Sequence, residues 1–340
     1  MSECSAAKRL LCVAVCAVPA LAGRGVCGSS APRLQVTADD TVVTIHEGAK
    51  PVAVYRYCGA PFKPYLRELY TPAGINVLLD SPSDHVHHHA LMFALGLDGV
   101  DFWGETQEPA CGVQRHVALA GIDFGQGDGS QSARFTQRID WIAPGGTRAV
   151  LTEDRIVRLH RLQGDDVTLL TWSARLRPAP GRATLTVDGR HYFGLGMRFV
   201  RAMDRTGTFF NPDNLPGEVF RGDERLLRSR WCAYSAEIDG KPVTVAMFDS
   251  PANPRCPAVW FTMKDPFAYL AATLGLHEQT LALNEGSSLD LTYGIALWDG
   301  KVETGRVEAL YRKWLTLTAA EIENKGDAPS GGRKAAPTNG

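Results

Sequence analysis

Four of the chain's nine histidines fall within five residues, in Ser81-Pro82-Ser83-Asp84-His85-Val86-His87-His88-His89. An apolar run, Ala90-Leu91-Met92-Phe93-Ala94-Leu95, follows at once. Imidazole can donate, accept, ligate metal and titrate near neutrality. Crowding several at the mouth of a buried strand costs desolvation, so the segment reads as a place of chemistry. If the strand starts near His87, then His87, His89, Leu91 and Phe93 share one face, and His88, Ala90, Met92 and Ala94 the other. His85 then stands in the loop after Pro82. Acid–base work needs one imidazole beside a reacting oxygen. A divalent metal needs two or three converging, His85 and His87 first, with a carboxylate such as Asp84 or Glu153. The structural alternative is a polar corner whose histidines bond to backbone. That is the better reading for any single histidine, whereas the cluster favours function, acid–base or sugar binding ahead of metal.

Other segments supply partners. In Thr152-Glu153-Asp154-Arg155, strand alternation points Glu153 and Arg155 the same way, to pair with each other across the surface or to grip a ligand. Tyr192-Phe193-Gly194-Leu195-Gly196-Met197-Arg198 places an arginine in an apolar strand. Asn253 lies between prolines in Asp249-Ser250-Pro251-Ala252-Asn253-Pro254-Arg255, just before Val259-Trp260-Phe261. Aromatic faces stack on sugar rings and amides bind hydroxyls, although turn chemistry and a core tryptophan explain the same residues. His277, after Leu274-Gly275-Leu276, is a weaker candidate, and His46 and His160 read as ordinary surface residues. No Gly-x-Ser-x-Gly, phosphate-binding loop or His-Glu-x-x-His occurs, which argues against a serine hydrolase, a nucleotide enzyme or a zinc protease.

The elements that must position these side chains are strands. Turn residues recur at Asp39-Asp40, Pro144-Gly145-Gly146, Gly164-Asp165-Asp166, Asp188-Gly189, Asp239-Gly240 and Glu285-Gly286. That spacing belongs to an all-β sandwich rather than a parallel α/β sheet. Gly125 to Gly129 reads as a flexible loop. Val307, Leu310, Tyr311 and Trp314 form one helical stripe near the C-terminus. A single domain is expected over 33–318, with a disordered tail at 325–340 rich in Gly, Pro, Ala and polar residues. Residues 1–22 read as a cleaved export signal: Lys8 and Arg9, an apolar run from Leu10 to Val18, then Pro19 and Ala20-Leu21-Ala22. A periplasmic or secreted protein is expected. The apolar run is far short of the roughly 20 residues that span a bilayer, and no later stretch is long and apolar enough. Of eight cysteines, Cys4, Cys12 and Cys16 leave with the signal, and Cys27, Cys58, Cys111, Cys232 and Cys256 remain. One disulfide is possible, small buried thiols being slightly favoured. A formal net charge of −1 gives no reason to expect nucleic acid.

Residues 60–300 resemble a bacterial family of unknown function often labelled "methane oxygenase PmoA". The likeness rests on Lys63-Pro64-Tyr65-Leu66 with Leu69-Tyr70-Thr71-Pro72-Ala73-Gly74, on Asp84-His85-x-His87-His88 and on Gly99-Val100-Asp101-Phe102-Trp103. It continues through Trp141-Ile142-Ala143-Pro144-x-Gly146, Glu153-x-Arg155, Tyr192-Phe193-Gly194-Leu195 and Pro251-x-Asn253-Pro254. The label's membrane oxygenase chemistry is not implied, because that needs several spanning helices. The resemblance implies a large antiparallel double β-sandwich of the galactose-mutarotase type, in a setting of keto-sugar or glycoside catabolism. It adds His116 to the site and carries Glu153 and Arg155 into it. Three residues depart from the pattern: Val86 for a proline, His89 for an arginine and Ala90 for a glycine.

The resulting expectation is an exported carbohydrate-active enzyme that cleaves or isomerises a glycoside or keto-sugar. His85, His88 or His116 acts as general base or acid, with Glu153 as partner. Arg155 and Arg198 bind negative charge, Asn253 and Trp260 hold the ring, and His277 assists. No resident cofactor is expected beyond a possible divalent metal. The partner is a small carbohydrate, not nucleic acid. The alternatives are a non-catalytic sugar-binding protein on the same fold and a metal-dependent histidine-cluster enzyme.

Overall fold

A computed structural model describes residues 33–127 and 130–326. The described residues fold into three antiparallel sheets and one long helix. The ten-stranded sheet carries the strands Tyr65–Leu69, Leu91–Ala94, Gly194–Arg198, Tyr269–Thr273, Val259–Met263, Glu224–Arg228 and Glu218–Arg221 in that spatial order, with Leu34–Ala38, Val42–Glu47 and Lys50–Arg56 completing its other edge. The eight-stranded sheet is built on the long strands Val113–Gly127, Ser130–Ile142, Leu151–Arg161, Thr168–Pro178 and Leu289–Asp299. A four-stranded sheet joins Leu281–Asn284, Thr184–Asp188, Gly96–Leu97 and Val100–Asp101.

Alternation sets the faces. Along Leu151–Arg161, every second residue from Leu151 to Leu159 is buried, so one face of that strand meets the core and the other faces outward. Phe93 of the ten-stranded sheet packs on Trp141 of the eight-stranded one at 6.0 Å between ring centroids. Leu195 pairs with Phe93, and Trp260 with Ala272, which in turn pairs with Leu195. All these side chains therefore point into the core between the sheets. Gly196, Arg198, Tyr269 and Phe261 alternate with them and occupy the opposite, outer face.

The helix Thr304–Gly326 carries the expected stripe: Val307, Leu310, Tyr311 and Trp314 are all buried against Trp231, Phe248 and Trp298. It runs through the expected start of the tail at 325; the rest of that tail and the export signal lie outside the described residues. His160 is a correction. It is buried, with Nε2 2.8 Å from Thr171 Oγ1, while the Trp314 indole N–H donates to the same oxygen at 2.9 Å. Burial holds its pKa down to about 3, so a neutral imidazole helps fasten the helix. His46 is half-buried beside Thr37. Four of the six expected turns close hairpins, but those at Asp188-Gly189 and Glu285-Gly286 hand the chain from one sheet to another. Gly125 to Gly127 belongs to a strand rather than a loop. Cys58 is disulfide-bonded, and Cys111, Cys232 and Cys256 are free thiols.

Candidate functional site

The histidine segment is a looped ledge rather than a strand, which begins only at Leu91. The His85 N–H donates to the Pro82 carbonyl, and the His88 N–H to the His85 carbonyl, each at 2.9 Å. The Ser81 N–H closes the loop on the His88 carbonyl at 2.9 Å. At the other end Ala90 holds φ +46°, the left-handed region that favours the glycine expected there from the resemblance.

This double turn gathers three imidazoles that strand alternation would have separated. The rings of His85 and His88 stack at 4.6 Å, and His87 stands edge-on to His88 at 4.7 Å. Trp103, Phe267 and Tyr269 surround His88 at 5.2, 5.3 and 5.2 Å. His88 is 5% exposed, and its Nδ1 has no hydrogen-bond partner in the protein. Burial above all, then the neighbouring cations, lowers its pKa to about 2. It is therefore a neutral imidazole at any working pH. His85 is half-exposed, with its Nδ1 3.3 Å from Asp84 Oδ2.

Arg198 reaches this ledge from the outer face of the ten-stranded sheet. Its neighbour along the strand, Gly196, is required: a Cβ there would lie 2.0 Å from the Tyr269 hydroxyl. The Arg198 side chain is fully buried over the Phe267 ring at 3.8 Å. None of Nε, Nη1 and Nη2 makes a hydrogen bond in the protein. Two carboxylates approach Nη2 only at ion-pair distance, Asp84 at 3.7 Å and Asp204 at 3.9 Å. Burial pulls the guanidinium pKa below its usual value, against both carboxylates. The Tyr269 hydroxyl and the Trp103 indole N–H face each other on the same wall without a well-formed hydrogen bond.

Behind the ledge His89 lies between two carboxylates: Nδ1 is 2.9 Å from Asp80, and Nε2 2.9 Å from Glu105 at an angle poorer than a hydrogen bond's. Buried Lys63 pairs with the same Glu105 at 2.5 Å, and the Tyr65 hydroxyl donates to Asp80 at 2.8 Å. Burial works against charge on His89, but the two carboxylates outweigh it and raise its pKa. An imidazole whose protonated form the two carboxylates favour thus links them at the position where the resemblance expects arginine.

The remaining candidates lie elsewhere. Glu153 and Arg155 are fully buried between the sheets and pair bidentately, at 2.6 and 2.9 Å. The Trp141 indole donates to Glu153, and Arg155 also donates to Tyr55, to the Pro64 carbonyl and to Gln114. Every charge in that network is satisfied, so it is a core pair rather than the surface pair or ligand grip expected. His116 is half-buried, 3.0 Å from Gln137 and edge-on to Tyr57 at 4.7 Å; neither neighbour belongs to the ledge. Asn253 donates to Asp249 and the Thr292 carbonyl and accepts from the Thr292 N–H, at 2.7, 2.8 and 2.7 Å, a loop clamp with little capacity left. Trp260 faces the core and donates to the Ser229 carbonyl at 2.6 Å; its neighbour Phe261 faces outward. His277 lies 6.0 Å from His191, a residue with no role in the sequence reading. The signal for His191 was present, since it opens the aromatic triplet His191-Tyr192-Phe193 before Gly194. His85 and His87 stand 5.8 Å apart. Among the described residues no three His, Cys, Asp or Glu side chains are grouped to hold a metal ion. Nor is any described helix long and apolar enough to cross a membrane.

Fold and site together define an all-β sandwich protein whose outer sheet face carries a cluster of histidines and aromatic rings around a buried arginine that makes no hydrogen bond in the protein. The chain belongs to the Family of unknown function (DUF6807), whose model matches residues 42–312. The comparison with curated proteins gives no match. Among solved structures, the chain is similar to the galactosidase domain of alpha-galactosidase-sucrose kinase AgaSK, at 11% identity and a TM-score of 0.41 over 78% of this chain and 42% of that one. It is also similar to the alpha-galactosidase from Lactobacillus brevis, at 6% identity and a TM-score of 0.43 over 79% and 40% of the two chains. A putative aldose 1-epimerase from Klebsiella pneumoniae matches at 8% identity and a TM-score of 0.36, over 81% and 83%. The chain spans about two-fifths of the length of the two galactosidases.

Proposed function

We propose that the protein is an exported carbohydrate-active enzyme that performs acid–base chemistry at a carbonyl or anomeric centre of a sugar or keto-sugar. One observation carries the reading: Arg198 is fully buried with all three guanidinium nitrogens unpartnered, beside a neutral buried histidine and inside aromatic walls. Buried polar groups are ordinarily satisfied, so an unsatisfied set gathered in one place supports a ligand that completes it. The ligand then needs apolar ring faces and several oxygens, which a sugar supplies.

The geometry distributes the roles. His88 is too weakly basic to accept a proton, but as a neutral donor it can polarise a carbonyl, with Arg198 holding the developing oxyanion. His85 is the better general base: Asp84 orients Nδ1 and leaves Nε2 free to take the proton. Asp84 replaces Glu153 as the carboxylate partner. Abstraction beside a carbonyl gives isomerisation, or β-elimination when a glycosidic oxygen leaves from the next carbon.

The test is product formation by mass spectrometry on matched panels of ordinary and 3-keto glycosides, using residues 23–340. The reading expects turnover that His85→Ala lowers about a hundredfold or more and that Arg198→Met abolishes. Wild-type turnover in both variants refutes the assignment. Binding without any product moves the protein to the sugar-binding alternative.

A further inference from the structure

The candidate pocket does not end at Trp103. From its ring, Tyr192 stands 4.8 Å away, His191 lies 4.9 Å beyond Tyr192, and Phe220 stacks on His191 at 3.8 Å. His277 closes the row 5.9 Å from Phe220. Phe261 backs it from the outer face of the same sheet, 5.9 Å from Tyr192 and 5.5 Å from His191. Phe220 is 47% exposed on an edge strand, so the face it turns away from His191 is open.

The far end of the row has its own polar groups. His191 Nε2 is 3.1 Å from Glu224, whose other oxygen accepts from Arg221 at 2.6 Å. The buried Nδ1 of His277 has no partner in the protein. Beyond lies a groove of about 490 Å³ lined in part by Glu218, Leu226, Arg228 and Glu278. Leu226 pairs with both Phe261 and Glu218, and Glu278 follows His277, so the groove adjoins the row.

We infer that the site has a second sugar subsite, formed by the exposed face of Phe220 with His277 and His191, so that its substrate is a saccharide of at least two rings. This rests on the carbohydrate reading above and goes beyond it. The pocket of Arg198 and the histidines takes the reacting ring. The next ring lies along Tyr192 and stacks on Phe220, with a hydroxyl at its edge turned to the unpartnered His277 imidazole. A continuous aromatic strip with polar groups at its margin matches the alternating apolar faces and hydroxyl edges of a short glycan. A monosaccharide would leave it uncovered.

The test compares affinities by calorimetry for monosaccharide, disaccharide and trisaccharide members of the gluco- and galacto-series, in their ordinary and 3-keto forms. Wild-type protein is measured beside Phe220→Ala, Phe220→Trp and Arg198→Met. The inference expects the wild type to prefer a disaccharide over its monosaccharide by about tenfold. Phe220→Ala removes that preference while leaving monosaccharide affinity unchanged, and Phe220→Trp keeps it. Arg198→Met weakens every member equally. If Phe220→Ala leaves the preference intact while Arg198→Met still weakens binding, the subsite is refuted and the carbohydrate reading survives. If the wild type binds no saccharide of either form, both fall together.

Discussion

Replacing Arg198 by methionine separates the two things a buried arginine can do. Methionine keeps most of the volume over Phe267 and removes the charge and the donors. Each unpartnered buried donor costs about 1–3 kcal/mol, and all three guanidinium nitrogens are in that condition. Against this stand a cation–π contact of about 1–2 kcal/mol and two ion pairs near 4 Å. One of the pairs is with Asp84, whose side chain is 39% exposed, so water screens it. Asp204 loses a counter-charge but keeps the Ala268 N–H at 2.8 Å, and Asp84 keeps Arg201 at 3.1 Å. Replacing a poorly made buried ionic group with an apolar one is neutral or stabilises by about 1–4 kcal/mol. The expected outcome is a melting temperature unchanged or raised by a few degrees, together with loss of the thermal shift that a bound saccharide gives the wild type. Calorimetric or circular-dichroism melts with and without saccharide measure both. A loss of about 3 kcal/mol or more, the usual cost of breaking a necessary buried pair, would show that Arg198 holds the fold together and refute the reasoning.

Two further outcomes follow from the same energetics. Glu153→Gln leaves Arg155 as an uncompensated buried cation, so it should destabilise the fold by about 3–5 kcal/mol in urea titrations; a stable, correctly folded but inactive variant would return Glu153 to the chemistry. Stability should also bend at both ends of the pH range. His88 and His160 have folded pKa values far below the unfolded value, so their contribution is present above about pH 6.5 and lost as pH falls; taking the unfolded proton into account, each costs roughly 2 kcal/mol by pH 5. His89 has the opposite sign. Its contribution is complete below about pH 6.5 and is lost as pH rises through its raised folded pKa, so His89→Arg should remove the alkaline decline alone. Chemical denaturation at pH 5, 7 and 9 reads all of these, and a stability flat in pH would contradict both assignments.

The fold was legible where local chemistry decides it. Turn residues marked the four hairpins and an i, i+3, i+4, i+7 stripe marked the helix, because backbone conformation and amphipathic period are local properties. Which sheet a strand joins is decided by packing, and so the chain's change of sheet at Asp188-Gly189 could not be read from the turn itself. The site was half legible. The histidine cluster stood out by residue type, and Arg198 by its apolar surroundings. Strand parity misled at His87, where the chain makes turns, and Trp260, a candidate for holding the ring, faces the core. Parity fixes which residues lie together on a strand, but not which of its faces looks inward.

Glu153 and Arg155 show the remaining gap, and Arg198 shows how structure fills it. The two arginines are alike in sequence, each following an apolar or alternating strand, and alike in burial, since both are fully enclosed. They differ in what meets the guanidinium. Arg155 donates to Glu153, Tyr55, Gln114 and a backbone carbonyl and stacks at 4.7 Å over Trp172. Its position needs nothing from outside, and evolution of the core alone accounts for it. Arg198 donates to nothing in the protein, and the neutral imidazole beside it is equally unfinished. A buried polar group left open costs stability in the free protein, and several of them gathered in one place are what a bound ligand would complete. Hydrogen-bond saturation therefore separates the two arginines where residue type, burial and charge do not, and it is the ground on which the proposal assigns its chemistry to the outer face of the sheet.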